Sequence, residues 1–451
     1  MAPLNILLLG TCDTKLPELL YLRSQILELS TEPSTNVILI DVGRTPVFDP
    51  SITVSQSHIL EALKRSDPSS MAINIASAPR GELIAHLAAA AAAYIRSTYT
   101  TSTSTATASA DDKQIIHGIV AAGGSGNTSL VSQVMRSEGL FPIGFPKLIV
   151  STIASGDTSH VVGESDITLT YSVVDVAGLN TLLKSVLSNA AGAIVGMAKA
   201  YKRRIEAASR EQSGRNKKVK MGITMFGVTT PCVDHVRAIV EEKHPDIEPY
   251  VFHATGHGGR AMEALVHSHD LDAVLDLTTT EIADHLVGGV MSAGPERLDA
   301  ALQRGIPCLI SVGACDMVNF GPVPSVPGQF AGGKRQLFEH NQSVTLMRTS
   351  EEECEKIGQF IVEKVKRAKR KDLVEVWIPK LGVSALSVEG QAFEDQDADS
   401  CLFAALGDGL QGVEGVKVVS RAQDINQESF ANAVVEAMVG LIEKARSDSS
   451  G

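Results

Sequence analysis

The chain has little of what several large function classes require. Aromatic residues make up 4% of 451 positions, with one tryptophan, Trp377, so there is scant material for stacking bases or sugars. Basic residues are outnumbered, 40 against 52 acidic, for a net charge of -12. That balance disfavours nucleic-acid and anionic-membrane binding, which need a basic face to displace counterions. The six cysteines, Cys12, Cys232, Cys308, Cys315, Cys354 and Cys401, contain no Cys-x-x-Cys pair and no zinc spacing, so neither a disulfide framework nor a metal site is expected. No uninterrupted apolar run reaches the roughly 20 residues of a membrane span. The amino terminus passes from Met1-Ala-Pro into an apolar strand without a signal-like segment, and a cytoplasmic location is expected.

What is present is a globular composition, 44% hydrophobic and 20% charged, at a length that calls for more than one domain. Short apolar runs at Asn5–Leu9, Asn36–Asp41, Met71–Ile75 and Ile115–Ala121 alternate with helical patterns, which predicts a buried parallel sheet. A second set, Val219–Met225, Ile247–Ala254, Ala273–Leu277, Cys308–Val312, Val344–Met347 and Leu373–Ile378, predicts another. The expected fold is α/β, with two doubly wound, Rossmann-like domains on mainly parallel sheets. Domain boundaries fall at 1–205 and 219–451, with 206–218, rich in Arg and Lys, as a solvated linker. A Ser/Thr-rich stretch, Ser97–Asp112, reads as a disordered insertion.

Polar residues recur at the predicted strand ends. Gly123-Gly-Ser-Gly-Asn-Thr128 follows a strand and precedes a helix expected near Ser129. Such a turn holds anions through backbone N–H groups and the helix dipole, with Gly123, Gly124, Ser125, Gly126 and Asn127 as binding candidates. It is not a Walker A loop, and it lacks the full dinucleotide spacing, so a plain tight turn is the competing reading. Gly10-Thr-Cys-Asp-Thr-Lys15 precedes a helix expected from about Pro17, where Thr11, Cys12, Asp13 and Thr14 serve equally as ligand contacts or as caps. Arg44 and Arg80 follow the second and third predicted strands and are candidate anion partners, converging only if these strand ends lie side by side. Ser151-Thr152 and Asn180, the latter placed on a helix, either line the same crevice or cap and pack. Asp157, Asp166 and Asp175 fit no compact metal loop.

In the second half, Thr229 and Thr230 follow one strand, and Gly256, Gly258, Gly259 and Arg260 follow the next, forming a candidate second anion site. Glu281, Asp316 and His253 are the acid/base candidates, with His257 beside them, while Cys232 and Cys315 have no assignable partner for nucleophilic work.

Taken together, seven segments resemble one family. They are Gly10–Lys15, Gly123–Thr128, Pro146–Thr152, Tyr171–Asn180, Met225–Pro231, Phe252–Gly256 and Leu275–Glu281. The family is the uncharacterised two-domain set of bacteria, fungi and plants that includes the ATP-binding N-terminal region of the tomato mosaic virus resistance protein. The resemblance implies ATP, with or without Mg2+, bound in the first domain through the Thr11–Thr14 turn, Arg80 and the Gly123–Asn127 loop. Cys12 stands where the family has alanine. A second ligand is expected in a cleft between the domains, and a homo-oligomer is expected. The competing readings are a hydrolase or lyase acting on a small phosphorylated or carboxylated metabolite, and a nucleotide-dependent protein-interaction module.

Overall fold

The structure, a computed structural model, describes residues 3–31, 34–68, 73–101, 113–211 and 218–449. The chain divides into two compact units, Met1–Arg215 and Asn216–Gly451.

The first unit runs β1 (Leu4–Gly10), α1 (Cys12–Leu29), β2 (Thr35–Asp41), α2 (Gln56–Ser66), α3 (Arg80–Thr98), a short pair β3 (Tyr99–Thr100) and β4 (Gln114–Ile115), then β5 (Gly118–Gly123), α4 (Ser125–Met135), β6 (Lys147–Ser151), α5 (Ser159–Val162), β7 (Thr168–Tyr171) and α6 (Thr181–Glu211). Its five-stranded sheet is parallel, in the order β2-β1-β5-β6-β7. All seven residues of β1 are buried, as befits a strand with helices on both faces. The pleat sorts them: Leu7 and Leu9 join the core under α2, α3 and α4, whereas Ile6 and Leu8 join the core under α1 and α6. The alanines of α3, Ala88 and Ala90 to Ala93, are buried, and their small size lets that helix sit close to its neighbours. One helical stretch, Thr181–Ser209, is long and apolar enough to cross a membrane by length and composition alone, and its stripe Leu183, Leu187, Ala190, Ala191, Ile194 packs into the core.

Several expectations are revised here. Ile73–Ile75, the described part of the expected third strand, is loop and turn. The sheet offers it no slot, because β1 is flanked by β2 and β5, and the outer edge of β2 is already bridged by Val54. The run Ile115–Ala121 is two strands rather than one, parted where His117 Nδ1 accepts the Asn5 N–H. Helix α4 starts at Ser125, four residues before the position expected, since Gly124 takes the N-cap in an extended conformation. Helix α1 starts at Cys12 and breaks at Lys15, so Pro17 falls in the first turn of its main segment, where a missing N–H is harmless. Asn180 is not on α6 but caps it, its Oδ1 accepting the Leu183 N–H at 2.9 Å. Residues 206–211 of the expected linker are helical, and 212–217 lie outside the described residues. Of the expected insertion, Ser97 and Thr98 end α3, Tyr99–Thr100 pair with Gln114–Ile115, and 102–112 lie outside the described residues.

The second unit runs β8 (Val219–Met225), α7 (Thr230–Lys243), β9 (Ile247–His253), α8 (His257–His267), β10 (Ala273–Thr278), α9 (Thr280–Val287), α10 (Asp299–Arg304), β11 (Cys308–Gly313), β12 (Met317–Phe320), β13 (Leu337–Asn341), β14 (Val344–Arg348), α11 (Glu351–Lys366), β15 (Val374–Pro379), α12 (Gln396–Leu410), β16 (Lys417–Arg421) and α13 (Glu428–Ser449). Its six-stranded parallel sheet has the order β16-β15-β11-β10-β8-β9. Val344–Met347, expected in that sheet, instead forms the centre of an antiparallel sheet, β12-β14-β13. A hairpin turn in which Asn341 Oδ1 accepts the Ser343 N–H sets this arrangement. In both units the strand order reverses beside the first strand, between β1 and β5 and between β8 and β10, where doubly wound folds leave a crevice.

A buried charge cluster ties the second unit together. Arg297, 1% exposed, donates through Nη1 and Nη2 to Asp276 at 2.6 and 2.7 Å and through Nε to Glu281 at 2.8 Å, with Glu263 at 3.3 Å. Glu263 in turn accepts the N–H groups of Leu298 and Ala300. Removing the guanidinium strands three carboxylates in a dry core, which typically costs about 3–5 kcal/mol. Arg297→Met is therefore expected to lower stability by that order. Urea unfolding followed through Trp377 fluorescence, which reports this unit, checks it, and an unchanged midpoint would refute the role given to the cluster.

Candidate functional site

The ends of β1, β2 and β5 and the start of α3 surround a cavity of about 420 Å³ in the first unit. Its polar lining is Thr11, Asp13, Thr14, Lys15, Arg44, Arg80, Gly124, Gly126 and Asn127, and its apolar wall is Val42, Leu83, Ile84, Leu87 and Leu130. The β1–β5 pairing, Leu9 opposite Ala121, brings the turn after Gly10 beside the turn after Gly123. This is the position of the strand-order reversal.

Each glycine of the loop has its own reason. A Cβ on Gly123 would lie 2.8 Å from the Asn127 Cβ, so the strand end can turn only without one. A Cβ on Gly126 would lie 2.7 Å from Arg80 Nη2. Gly124 has room, with only Thr152 Oγ1 at 3.8 Å, and leaves the helix start open on the cavity side. Among the described residues no side chain caps α4, so its first N–H groups carry the positive end of the helix dipole uncompensated.

The facing turn is built from hydroxyls and carboxylates. Thr11 Oγ1 and Thr14 Oγ1 are 3.0 Å apart. Asp13 Oδ2 accepts the N–H groups of Arg44 and Thr45, both at 3.0 Å, and so holds the segment after β2. Gln56 Nε2 donates to the carbonyls of Gly43 and Arg44 from the other side. The Arg44 guanidinium donates to Ala76 O and Ala78 O at 3.0 Å, fastening the turn that leads into α3 and hence to Arg80. Among the described residues Arg80 makes one long bond, 3.5 Å to Ser125 Oγ, and it stands exposed at the mouth of the α4 amides. Cys12, Gly123 and Ser125 lie beside the cavity rather than on its lining. Burial and the neighbouring Asp41 push the Cys12 thiol far above the usual range, so it is no thiolate nucleophile. Asp41 is fully buried and accepts the N–H groups of Cys12 and Gly43 at 3.1 and 2.9 Å; burial raises its pKa despite those bonds.

The apolar wall was not anticipated as part of a site. Leu83, Ile84 and Leu87 read as one face of a core helix, and helical spacing alone does not tell a cavity wall from a packed interior. Of the remaining candidates, Ser151 Oγ pairs with Thr128 Oγ1 at 2.7 Å in the core. Asp166 holds Lys147, and Asp157 Oδ1 accepts the Ser159 N–H. Among the described residues no group of three or more His, Cys, Asp or Glu side chains is arranged to hold a metal ion.

In the second unit the predicted residues gather, but largely around each other. Glu281 is fully buried, and its Oε1 accepts the N–H groups of Gly256 and Gly259 at 2.7 and 3.0 Å. A Cβ on Gly259 would lie 2.1 Å from Glu281 Oε2, and Gly256 has φ +87°, so these glycines serve the approach to an internal carboxylate. Gly258 packs on the His253 carbonyl. Thr229 Oγ1 pairs with Thr278 Oγ1 at 2.8 Å, and Thr230 Oγ1 donates to Phe226 O. Arg260 Nη1 donates to Ser292 O at 2.8 Å, with His257 Nδ1 at 3.1 Å from Nη2. His253 is exposed, its ring 5.6 Å from that of Phe226. Cys232 and Cys315 are buried, with their thiols pushed up by burial. A larger cavity, about 600 Å³, lies elsewhere in this unit, between α12 and the ends of β15 and β16, and none of the sequence-nominated residues lines it.

Asp316 is fully buried; Ser384 Oγ donates to its Oδ2 at 2.7 Å. Burial pushes its carboxyl up to about 7, against the pull of Arg348. An unfolded aspartate titrates near 3.9, so the folded state holds an extra proton between about pH 4 and 7. Stability from this group is therefore full below about pH 4 and lost as pH rises through about 7. Asp316→Asn, which keeps the acceptor for Ser384, is expected to lessen the loss of stability between pH 5 and pH 8, by up to about 2.5 kcal/mol. Urea titrations at the two pH values measure this, and equal losses in both proteins would contradict it.

The comparisons with known proteins cover the whole of this architecture. Residues 4–203 match the model of the uncharacterised protein family (UPF0261) N-terminal domain, and residues 218–442 match the C-terminal domain of the same family. A UPF0261 protein of Clostridium tetani is 40% identical over 98% of this chain and 99% of its own. The ToMV resistance protein Tm-1(GCR237) of Solanum lycopersicum is 47% identical over 75% of this chain. The ToMV susceptible protein tm-1(GCR26) of the same plant is 40% identical over 98% of this chain. The matches span 43% and 56% of the two tomato proteins. With both domain models matched and near full-length identity to a bacterial member, the chain belongs to the uncharacterised protein family (UPF0261).

Proposed function

We propose that the first unit binds a nucleotide, ATP in the first instance, in the cavity between the β1–α1 turn and the start of α4. The observation that carries this reading is the joining of an anion cradle to an apolar slot. The uncapped α4 amides and Arg80 suit phosphate oxygens, while Val42, Leu83, Ile84, Leu87 and Leu130 suit the faces of a base. The cavity, at about 420 Å³, falls within the range of small-ligand sites. Its place at the strand-order reversal is where α/β folds bind such ligands. If Mg2+ accompanies the phosphates, Asp13 is the carboxylate on the lining and Thr11 and Thr14 the hydroxyls. The ion would neutralise phosphate charge there.

Gly124 offers a clean test, because a side chain fits there without a clash and would project where the phosphates are expected. Calorimetric titration of the full chain with ATP is expected to show binding. Gly124→Asp is expected to weaken it by at least about tenfold, through carboxylate–phosphate repulsion and a blocked approach to the amides. Equal affinity in both proteins would overturn the site, and no binding by the intact chain would overturn the reading.

A further inference from the structure

The larger cavity of the second unit, about 600 Å³, is of small-ligand size and carries a charge pattern of its own. It is bounded by one face of α12, by the end of β15 with the loop that follows, and by Ser420 on edge strand β16. Helix α12 packs its opposite face, Ala398, Leu402 and Leu406, into the core. Asp399, Phe403, Gly407 and Asp408 are thereby left on the cavity side, at helical spacing.

The carboxylates of the lining stand at two ends. Glu389 and Glu394, in the loop before α12, and Asp399, in its first turn, gather where the helix starts, whereas Asp408 stands in its last turn. At 1.5 Å per residue, Asp399 and Asp408 are roughly 13 Å apart along the helix axis. Between the two ends the wall is apolar or bare, with Ile378, Phe403 and Gly407, where a Cβ would meet nothing within 4 Å.

Asp399 is the most firmly held of these acids. It is 7% exposed, and its Oδ1 accepts Arg348 Nη2 at 2.7 Å, while Oδ2 has no hydrogen-bond partner among the described residues. The side chain keeps 10% of its surface open and lines the cavity, so a ligand can reach it. A largely buried carboxylate with one oxygen unpaired favours a cationic donor. Setting Arg348 against Asp399 leaves Glu389, Glu394 and Asp408 facing Lys380, the one cation on the lining among the described residues. The cavity is short of two positive charges. Asp408 deepens the deficit, because it lies at the negative end of the α12 dipole in a last turn with no basic residue.

We infer that this cavity binds a linear aliphatic polyamine, with ammonium groups at the two acidic ends and a methylene stem along Phe403 and Gly407. The charge deficit calls for at least a dication. The spacing calls for a chain of about ten atoms at about 1.5 Å per bond, and the bare wall for an unsubstituted stem. A monoamine satisfies one end only. The site lies within the second unit and is independent of the nucleotide reading.

Spermidine, a triamine of about that length, is the probe, titrated calorimetrically into the full chain at low ionic strength, with n-butylamine as the single-ended comparison. The intact protein is expected to bind spermidine at least about tenfold more tightly than n-butylamine. Asp408→Lys reverses the charge at one end, and Gly407→Leu fills the wall between the ends; each is expected to weaken spermidine at least about tenfold. Both substitutions suit the helix, the lysine at its negative end and the leucine in place of glycine, and circular dichroism checks that they fold. Glu61→Lys, at an exposed position of α2 in the first unit, makes the same change in net charge and is expected to bind spermidine as the intact protein does. If Glu61→Lys weakens binding as much as Asp408→Lys, the attraction is to the net charge of the protein and the inference is overturned. Equal affinity for the two amines, undiminished binding by Gly407→Leu, or no binding of spermidine by the intact chain overturns it as well.

Discussion

Parallel pairing of β1 with β5 is the interaction on which the first unit depends. It sets two strands side by side that are separated in sequence by three helices and three further strands, and it points both carboxyl ends the same way. Because each strand leads straight into a helix, that single ladder puts the Thr11–Lys15 turn against the amides of α4. The rest follows from keeping the two turns apart. Gly123 leaves room for Asn127 and Gly126 for Arg80, Arg44 fastens the approach to α3, and Asp13 fastens the segment after β2. The cavity is what remains between them.

The second unit repeats the architecture and uses its strand ends differently. A glycine turn after β9 again presents backbone N–H groups, but Glu281 fills the anion position from within, itself held by Arg297. An internal carboxylate in a helix-start cradle gives the same hydrogen bonds as an external anion without the entropy of capturing one. The same local motif thus rigidifies one unit and leaves an opening in the other. What separates them is the presence of a buried arginine able to hold the acid in the core.

Legibility followed burial and chain separation. Strands with buried centres, such as β1, β8 and β11, appear as mainly apolar runs and were located to within a residue or two, whereas β5 was merged with β4. Edge strand β16, Lys417–Arg421, is half polar because one side meets solvent, and it left no such run. Ile73–Ile75 carried the pattern of a strand but lies in loop and turn, because apolar residues pack against a core equally well without a ladder partner. For the site, Thr11, Asp13, Thr14, Arg44, Arg80, Gly124, Gly126 and Asn127 were visible as polar breaks after apolar runs. Arg297 was not, since a lone arginine between a Pro-Glu and a helix carries no sign that it will be buried.

By itself, the sequence determined the fold class, the positions of the main strands and the residue types offered at their ends, because those depend on local periodicity and on the short-range chemistry of turns. Only the tertiary structure decided which offers are taken up. It assigned Asp41 and Glu281 to internal N–H groups, left Asp13 Oδ1 and Asn127 Oδ1 without partners among the described residues, and made Leu83 and Leu87 the wall of a cavity. A hydrogen-bonding group's role depends on which partners the packing brings within about 3 Å, and the residues that compete for it here come from strands and helices tens to more than a hundred positions apart.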